Sequence, residues 1–286
     1  MRVIVFTGAE ANYFSLMRDA MLSIHASCPE LEIAVMDMGL EPTQRDWASS
    51  RAVRILEPAW PFDGPPIENL PNSYLGLFSR PTMRDLVPGY DVYLWFDADA
   101  WAQDRSGLDL LIAGAVRRKG LAAVPEIDRS SRRHFGGFLQ FAENIKPRWS
   151  VFGQQVADTL AYYPMLNCGI LALHADAPHW KYWLAAIEKG LDVAAHFLVE
   201  QMALCYAVYL KGLFDKTELL PPWCNWLCHN GLPVWDNAQQ CLVEPYLPNT
   251  KIGNLHLTFR DKAAKRTLQT TEFGRVEMDL RYGAAA

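Results

Sequence analysis

The sequence predicts an α/β protein with a Rossmann-like, mostly parallel central sheet flanked by helices. Three observations lead there. Residues 2–56 alternate short apolar runs with stretches of helical spacing, a βαβαβ beginning that calls for parallel strands joined by crossover helices. Several apolar runs end abruptly in polar residues, as strands do when ligand-bearing loops follow their carboxyl ends. Half of the 286 residues are hydrophobic, enough for a proper core in one large α/β domain or two small ones.

The elements follow in order. Arg2–Thr7 reads as the first buried strand, with a turn at Gly8. Residues 11–25 place Phe14, Met17, Met21, Leu22 and Ile24 at helical spacing. Leu31–Asp37 is a second strand, Pro42–Ser50 a short helix and Val53–Leu56 a third strand. Residues 58–72 are rich in Pro and Gly and form a loop; the sheet pattern resumes at once, so this is an excursion rather than a linker. Ser79 reads as the N-cap of a helix that runs to about Val87, before Pro88-Gly89. Val92–Phe96 is an apolar strand, Gly107–Lys119 a helix and Leu121–Pro125 a fifth strand. Residues 127–150, with Gly136-Gly137, read as a long loop. Asn167–His174 is a strand, and Pro178–Lys189 and Phe197–Leu210 are helices, with Gly190 as a C-terminal stop. After Pro221-Pro222 the chain becomes Trp-rich and irregular, and Ile252–Leu257 is a late strand.

Composition removes several function classes. The net charge is −5, with no basic domain, which disfavours a nucleic-acid partner. The small patch at Arg129, Arg132, Arg133 and His134 reads as a solvated or phosphate-facing loop. The six cysteines are too sparse for a disulfide scaffold. Cys224 and Cys228 lack the second ligand pair that a zinc finger needs, so reduced thiols in a cytoplasmic setting are expected. The N-terminus lacks a signal peptide's long apolar core, and no run approaches membrane-spanning length.

The most informative stretch is Tyr93-Leu-Trp-Phe-Asp97-Ala98-Asp99. A buried strand does not end in two carboxylates unless something compensates their charge. A divalent cation is the simplest compensation. Residues two apart on an extended segment point the same way, so both carboxylates can reach one ion. Oxygen ligands suit Mg²⁺ or Mn²⁺, and such sites also hold substrate phosphates.

Several residues then line up in a characteristic order: Thr7-Gly8, Tyr13, Arg80, Asp97-Ala98-Asp99, Asn167-Cys168-Gly169, Glu200-Gln201, Asn225 after Leu220-Pro221, and His256 with Lys262 six residues on. From Val3 to about Lys262 this order resembles the GT-A-fold, metal-dependent glycosyltransferases of family 8, the family of glycogenin and the bacterial lipopolysaccharide sugar transferases. The resemblance implies a retaining transferase that takes a nucleotide-sugar donor, usually a UDP-sugar, and a glycan, lipid-linked or protein acceptor, with Mn²⁺ (or Mg²⁺) as cofactor. It implies one glycosyltransferase domain over 1–286. Residues 1–104 would be its nucleotide-binding half, and 105–286 its donor-sugar and acceptor half with a C-terminal closing loop.

Carried over residue by residue, Asp97, Asp99 and His256 would ligate the metal. Arg80 and Lys262 would face the diphosphate, beside Asp97, with Arg84 as a substitute for Arg80. Thr7, Gly8 and Tyr13 would hold the uracil end, with Tyr13 stacking. Asn167, Gly169, Glu200 and Gln201 would surround the donor sugar, and Glu200, Gln201 and Asn167 are the catalytic candidates. Phe259 stands where the family commonly has Gly, Ala263-Ala264 where it has Pro-Trp, and Glu200 where it has Asp.

Competing readings exist. A phosphatase of the haloacid dehalogenase type also uses Asp-X-Asp after a strand. There the pair lies near the N-terminus with Thr two positions on, where this chain has Trp101. A Rossmann oxidoreductase would need a Gly-X-Gly-X-X-Gly turn, which Thr7-Gly8-Ala9-Glu10 is not. The three departures also admit a non-catalytic nucleotide- or carbohydrate-binding protein with a decayed transferase site. Trp223, Trp226 and Trp235 read equally as an acceptor platform and as core. Loop 129–141 reads as a solvated loop, with a mobile lid as the alternative.

Overall fold

The computed structural model describes residues 1–63, 66–132 and 136–283. The first half supplies β1 (Val3–Ala9), α1 (Phe14–Ser27), β2 (Glu32–Asp37), α2 (Pro42–Ser49), β3 (Arg54–Leu56), α3 (Asn72–Ser79), α4 (Met83–Leu86), β4 (Val92–Phe96), β5 (Ala100–Ala102), α5 (Ser106–Arg118) and β6 (Leu121–Pro125). Next come α6 (Phe138–Trp149), α7 (Gln154–Leu160), β7 (Leu166–His174), α8 (His179–Leu191), α9 (Val199–Leu210) and β8 (Thr217–Leu219). The central sheet has the order β3-β2-β1-β4-β7-β6-β8. Its pairings are parallel except at β7, which runs against both β4 and β6.

Burial explains why these strands are nearly continuous apolar runs. Successive side chains of a strand face opposite sides. Ile4, Phe6, Tyr93 and Trp95 enter one apolar layer, with Trp183 and Ile187 of α8 and Met202 and Leu204 of α9. Val5, Val92, Leu94 and Phe96 enter the other, with Met17, Met21 and Ile24 of α1 and Leu108 and Leu111 of α5. Both faces of the sheet are therefore covered by helices.

A smaller sheet positions the site. After β8 come β9 (Trp226–Leu227), β10 (Val234–Asp236), β11 (Cys241–Val243), β12 (Asn254–His256), β13 (Arg266–Gln269) and β14 (Arg275–Met278). β12 sits between β5, to which it is antiparallel, and β9, to which it is parallel. Trp226, Leu255, Leu257, Leu268 and Leu280 form its own apolar cluster. No helix among the described residues is long and apolar enough to cross a membrane, and all six cysteines are free and buried.

The structure corrects several local expectations. β1 runs on through Gly8, which pairs with Met36. A Cβ on Gly8 would lie 2.6 Å from the Met36 carbonyl oxygen, so glycine permits close strand approach there rather than a turn. Ser79 ends α3 rather than capping a helix, because Pro81 interrupts the ladder and a 3₁₀ turn, Arg80–Thr82, leads into α4. Gly190 lies inside α8; a Cβ there would meet Val199 and Phe152, so it is small for packing. The loop expected over 127–150 contains α6, whose Ala142 and Trp149 are buried. The Trp-rich tail is not irregular throughout, since it contributes β9, β10 and β11.

Candidate active site

Asp97, Ala98 and Asp99 form the turn by which the chain leaves the large sheet and enters the small one. Asp97 N–H donates to Gly169 O at 2.7 Å, at the end of the β4–β7 ladder, and Ala100 N–H donates back to Asp97 O at 3.0 Å. His256 pairs with Ala100 in the β5–β12 register, and Leu257 N–H donates to Asp99 O at 2.8 Å. This backbone pairing brings a histidine more than 150 positions away onto the acidic turn. One ligand atom each from Asp97, Asp99 and His256 lies within 4.8 Å of the other two.

Each carboxylate is held. Arg80 Nη2 and Trp95 Nε1 both donate to Asp97 Oδ1 at 2.7 Å, which leaves Oδ2 facing His256 Nε2 at 3.6 Å. Asp99 Oδ1 lies 3.2 Å from His256 Nε2 and Oδ2 2.6 Å from Lys262 Nζ. Burial opposes the charge on Asp99, but His256 and Lys262 override it and hold the carboxyl well below the usual range. Burial likewise works against a charged His256, and Asp99 and Asp97 outweigh it, raising its pKa.

Gly169 forms the floor. β7 is irregular opposite β6, where pairing jumps from Ala123↔Leu171 to Val124↔Asn167, and the bulge turns residues 167–169 towards the acidic pair. A Cβ on Gly169 would fall 2.2 Å from His256 Cε1 and 2.7 Å from Asp97 Oδ2. Only glycine leaves room for the three groups to converge. Two carboxylates and an imidazole on one side of a glycine floor can hold a divalent metal ion.

A cleft of about 620 Å³ opens beside this cluster. Arg80, Asp97, Asn167, Gly169, Glu200, Gln201 and His256 line it, so seven of the expected residues meet there. Glu200, on the first turn of α9, is buried and has a pKa pushed up to about 7: burial raises it, and Arg80 only partly offsets that. Arg80 is nine-tenths or more buried, stacked 4.4 Å over Trp95, with Nη1 donating to Cys168 O at 3.1 Å and to Glu200 at 3.4 Å. It was expected to face the diphosphate; in the structure it lines the cleft and pairs with Asp97 and Glu200. Arg84 is no substitute, since it donates to Ala175 O away from the cleft.

The other expected residues sit elsewhere. Tyr13 and Lys262 share a second cavity of about 470 Å³ with Arg260 and Arg281, and the Lys262 ammonium lies 5.9 Å from the Tyr13 ring. Thr7 and Gly8 are buried within β1 and line neither cavity. Trp223, Trp226 and Trp235 pack in the cluster of the small sheet and do not line the cleft.

Sequence reasoning missed the opposite wall. Phe141, Asn144, Ile145 and Arg148 of α6, with Phe197, close the cleft on that side. The signal was present: Phe138, Phe141, Ala142, Ile145 and Trp149 recur at helical spacing, but Gly136-Gly137 and Pro147 disguised it.

No family model and no curated protein sequence matches the chain. Solved structures do. The galactosyltransferase LgtC in complex with donor and acceptor sugar analogues superposes with a TM-score of 0.55 at 17% identity, over 91% of this chain and 89% of that one. The chain has the GT-A fold. An active-site mutant of LgtC gives 0.54 at 18% identity, over 90% and 87% of the two chains. The apo bifunctional glycosyltransferase WbbM gives 0.57 at 14% identity, over 91% of this chain and 46% of its own. The glycosyltransferase GlyE of Streptococcus pneumoniae TIGR4 gives 0.51 at 15%, over 91% and 55%. At these identities the likeness speaks for the GT-A fold and its topology.

Proposed function

We propose that this GT-A chain is a metal-dependent, retaining glycosyltransferase that moves a sugar from a nucleotide donor, a UDP-sugar, to a saccharide-type acceptor. The observation that carries the reading is the convergence of Asp97, Asp99 and His256 on the Gly169 floor, at the edge of a cleft large enough for a sugar. Asp97, Asp99 and His256 would hold Mn²⁺ or Mg²⁺. When bound, that ion supplies electrostatic stabilisation of the diphosphate leaving group.

The remaining chemistry falls to side chains of the chain itself. Lys262 Nζ, held by Asp99 Oδ2 and the carbonyls of Leu257 and Phe259, lies between the acidic turn and the cavity that contains Tyr13. Its charge there would favour a phosphate electrostatically while Tyr13 stacks on the base. Arg80 orients Asp97 rather than binding phosphate. Glu200 and Gln201 line the cleft where the sugar becomes cation-like, and a carboxylate or amide there favours that charge. Asn167 spends its side chain on protein partners and acts by positioning. Phe141, Ile145 and Phe197 offer an apolar wall against which an acceptor ring can lie.

Release of UDP from a panel of UDP-sugars, with and without Mn²⁺, tests the reading. Turnover of one donor that stops on chelation and in Asp99→Asn supports it. Phosphate release from simple monoesters, with no turnover of any nucleotide sugar, would favour a phosphatase instead.

A further inference from the structure

A buried chain of hydrogen bonds starts at a backbone amide and ends at the imidazole of His256. Gly169 N–H donates at 2.9 Å to the side chain of Asn167. A backbone N–H can only donate, so the Asn167 atom it meets is the oxygen Oδ1. The Asn167 amide nitrogen then faces the other way, where Glu126 Oε1 accepts at 3.2 Å. The same Asn167 Oδ1 meets Asn225 at 2.9 Å, so Asn225 presents its Nδ2 there. Asn225 Oδ1 is thereby turned to His256 Nδ1, 3.1 Å away. An acceptor on one side requires a donor on the other, so His256 Nδ1 bears a hydrogen. Asn225 is 1% and His256 4% exposed.

We propose that Asn225 is a positioning residue that fixes the tautomer of His256, with the hydrogen on Nδ1 and the lone pair of the neutral ring on Nε2. That lone pair points at the space shared with Asp97 Oδ2 and Asp99 Oδ1. The alternative is an ordinary His–carboxylate pair in which a neutral ring donates from Nε2 to Asp99. It would set an Nδ1 lone pair against Asn225 Oδ1, two acceptors at 3.1 Å. For a neutral ring the relay disfavours that pair and leaves Nε2 as the ligand atom, since a metal-bound histidine needs its other nitrogen to donate. Only a protonated ring could donate to Asn225 and Asp99 together. The relay also ties the metal ligand to Asn167 and Glu126 in the cleft, so one backbone amide sets the orientation of both. This inference rests on the metal-dependent reading for its purpose, but the tautomer can be observed with no metal present.

The test is a long-range ¹H–¹⁵N spectrum of the histidine rings in ¹⁵N-labelled, metal-free protein at pH 9, with His256 assigned by its loss in His256→Gln. The expected result is the Nδ1–H tautomer in the wild type. Asn225→Asp loses the donor to Asn167 Oδ1 but keeps an acceptor towards His256, so it tests the Nδ1 contact alone and should keep that tautomer. Asn225→Leu should release it towards Nε2–H and weaken Mn²⁺ binding, followed by the signal of free Mn²⁺, by about 10–100-fold. An Nε2–H wild type overturns the proposal, as does an Asn225→Leu protein with unchanged tautomer and Mn²⁺ affinity. Should Asn225→Leu not fold, the wild-type and Asn225→Asp spectra still decide. A wild type with the Nδ1–H tautomer that binds no Mn²⁺ would uphold the relay and overturn the metal reading it serves.

Discussion

Arg80 holds Asp97 by one oxygen only: Nη2 lies 2.7 Å from Oδ1, and the second oxygen is left facing His256. Its other terminal nitrogen reaches Glu200 at 3.4 Å. One buried guanidinium thus balances two carboxylates and aims one of them. Truncating one partner of a buried charge network strands the others. Arg80→Met should destabilise the fold by about 3–5 kcal/mol and weaken Mn²⁺ binding. Urea denaturation and a Mn²⁺ titration check both. A variant of wild-type stability would show that Arg80 carries no such charge balance.

Glu200 gives a pH dependence of defined sign. Its carboxyl ionises near 7 in the fold and near 4.5 when unfolded. Between those values the native state holds a proton that the unfolded chain has lost. The stabilisation is complete below 4.5 and fades as pH rises through 7. Glu200→Gln stays neutral throughout. Its stability relative to wild type should therefore rise by roughly 2–3 kcal/mol from pH 5 to pH 8. Denaturation curves of both proteins at the two pH values measure this, and a constant gap would contradict it.

Gly169→Ala places a methyl group where His256 and Asp97 converge. Overpacking of this kind costs about 1–3 kcal/mol, and here it also pushes aside two of the proposed ligands. The expected outcome is a lowered Tm with loss of most Mn²⁺ affinity. Gly136→Ala is the control, because nothing lies within 4 Å of a Cβ there, and it should behave as wild type in both measurements.

Phe197 is 53% exposed, lines the cleft and lies under the Arg148 guanidinium at 5.6 Å. An aromatic face so presented suits a sugar ring. Phe197→Ala should raise the acceptor KM about 2–10-fold while leaving hydrolysis of the nucleotide sugar unchanged. A parallel fall in hydrolysis would place Phe197 on the donor side instead.

Much of the framework was legible because burial on both faces writes strands as unbroken apolar runs, as in Val92–Phe96. The acidic pair was legible for the same reason: two carboxylates closing such a run are conspicuous. His256 was legible only through the order of motifs, since nothing local reveals that β12 pairs with β5. The fate of Arg80 was not legible. Facing phosphate and bridging Asp97 to Glu200 call for the same residue type, and the bridge becomes visible only with the path of α3 into its 3₁₀ turn. α6 was hidden by glycines and a proline that usually mark loops, and Asn225 by having no charge to draw attention.

The most direct measurement is calorimetric titration of UDP into the metal-free protein, with and without Mn²⁺, for the wild type and Asp99→Ala. UDP binding that requires Mn²⁺ and disappears in Asp99→Ala is the predicted result. UDP binding of equal strength in all four conditions, or in none, would contradict a metal-held nucleotide sugar at this site.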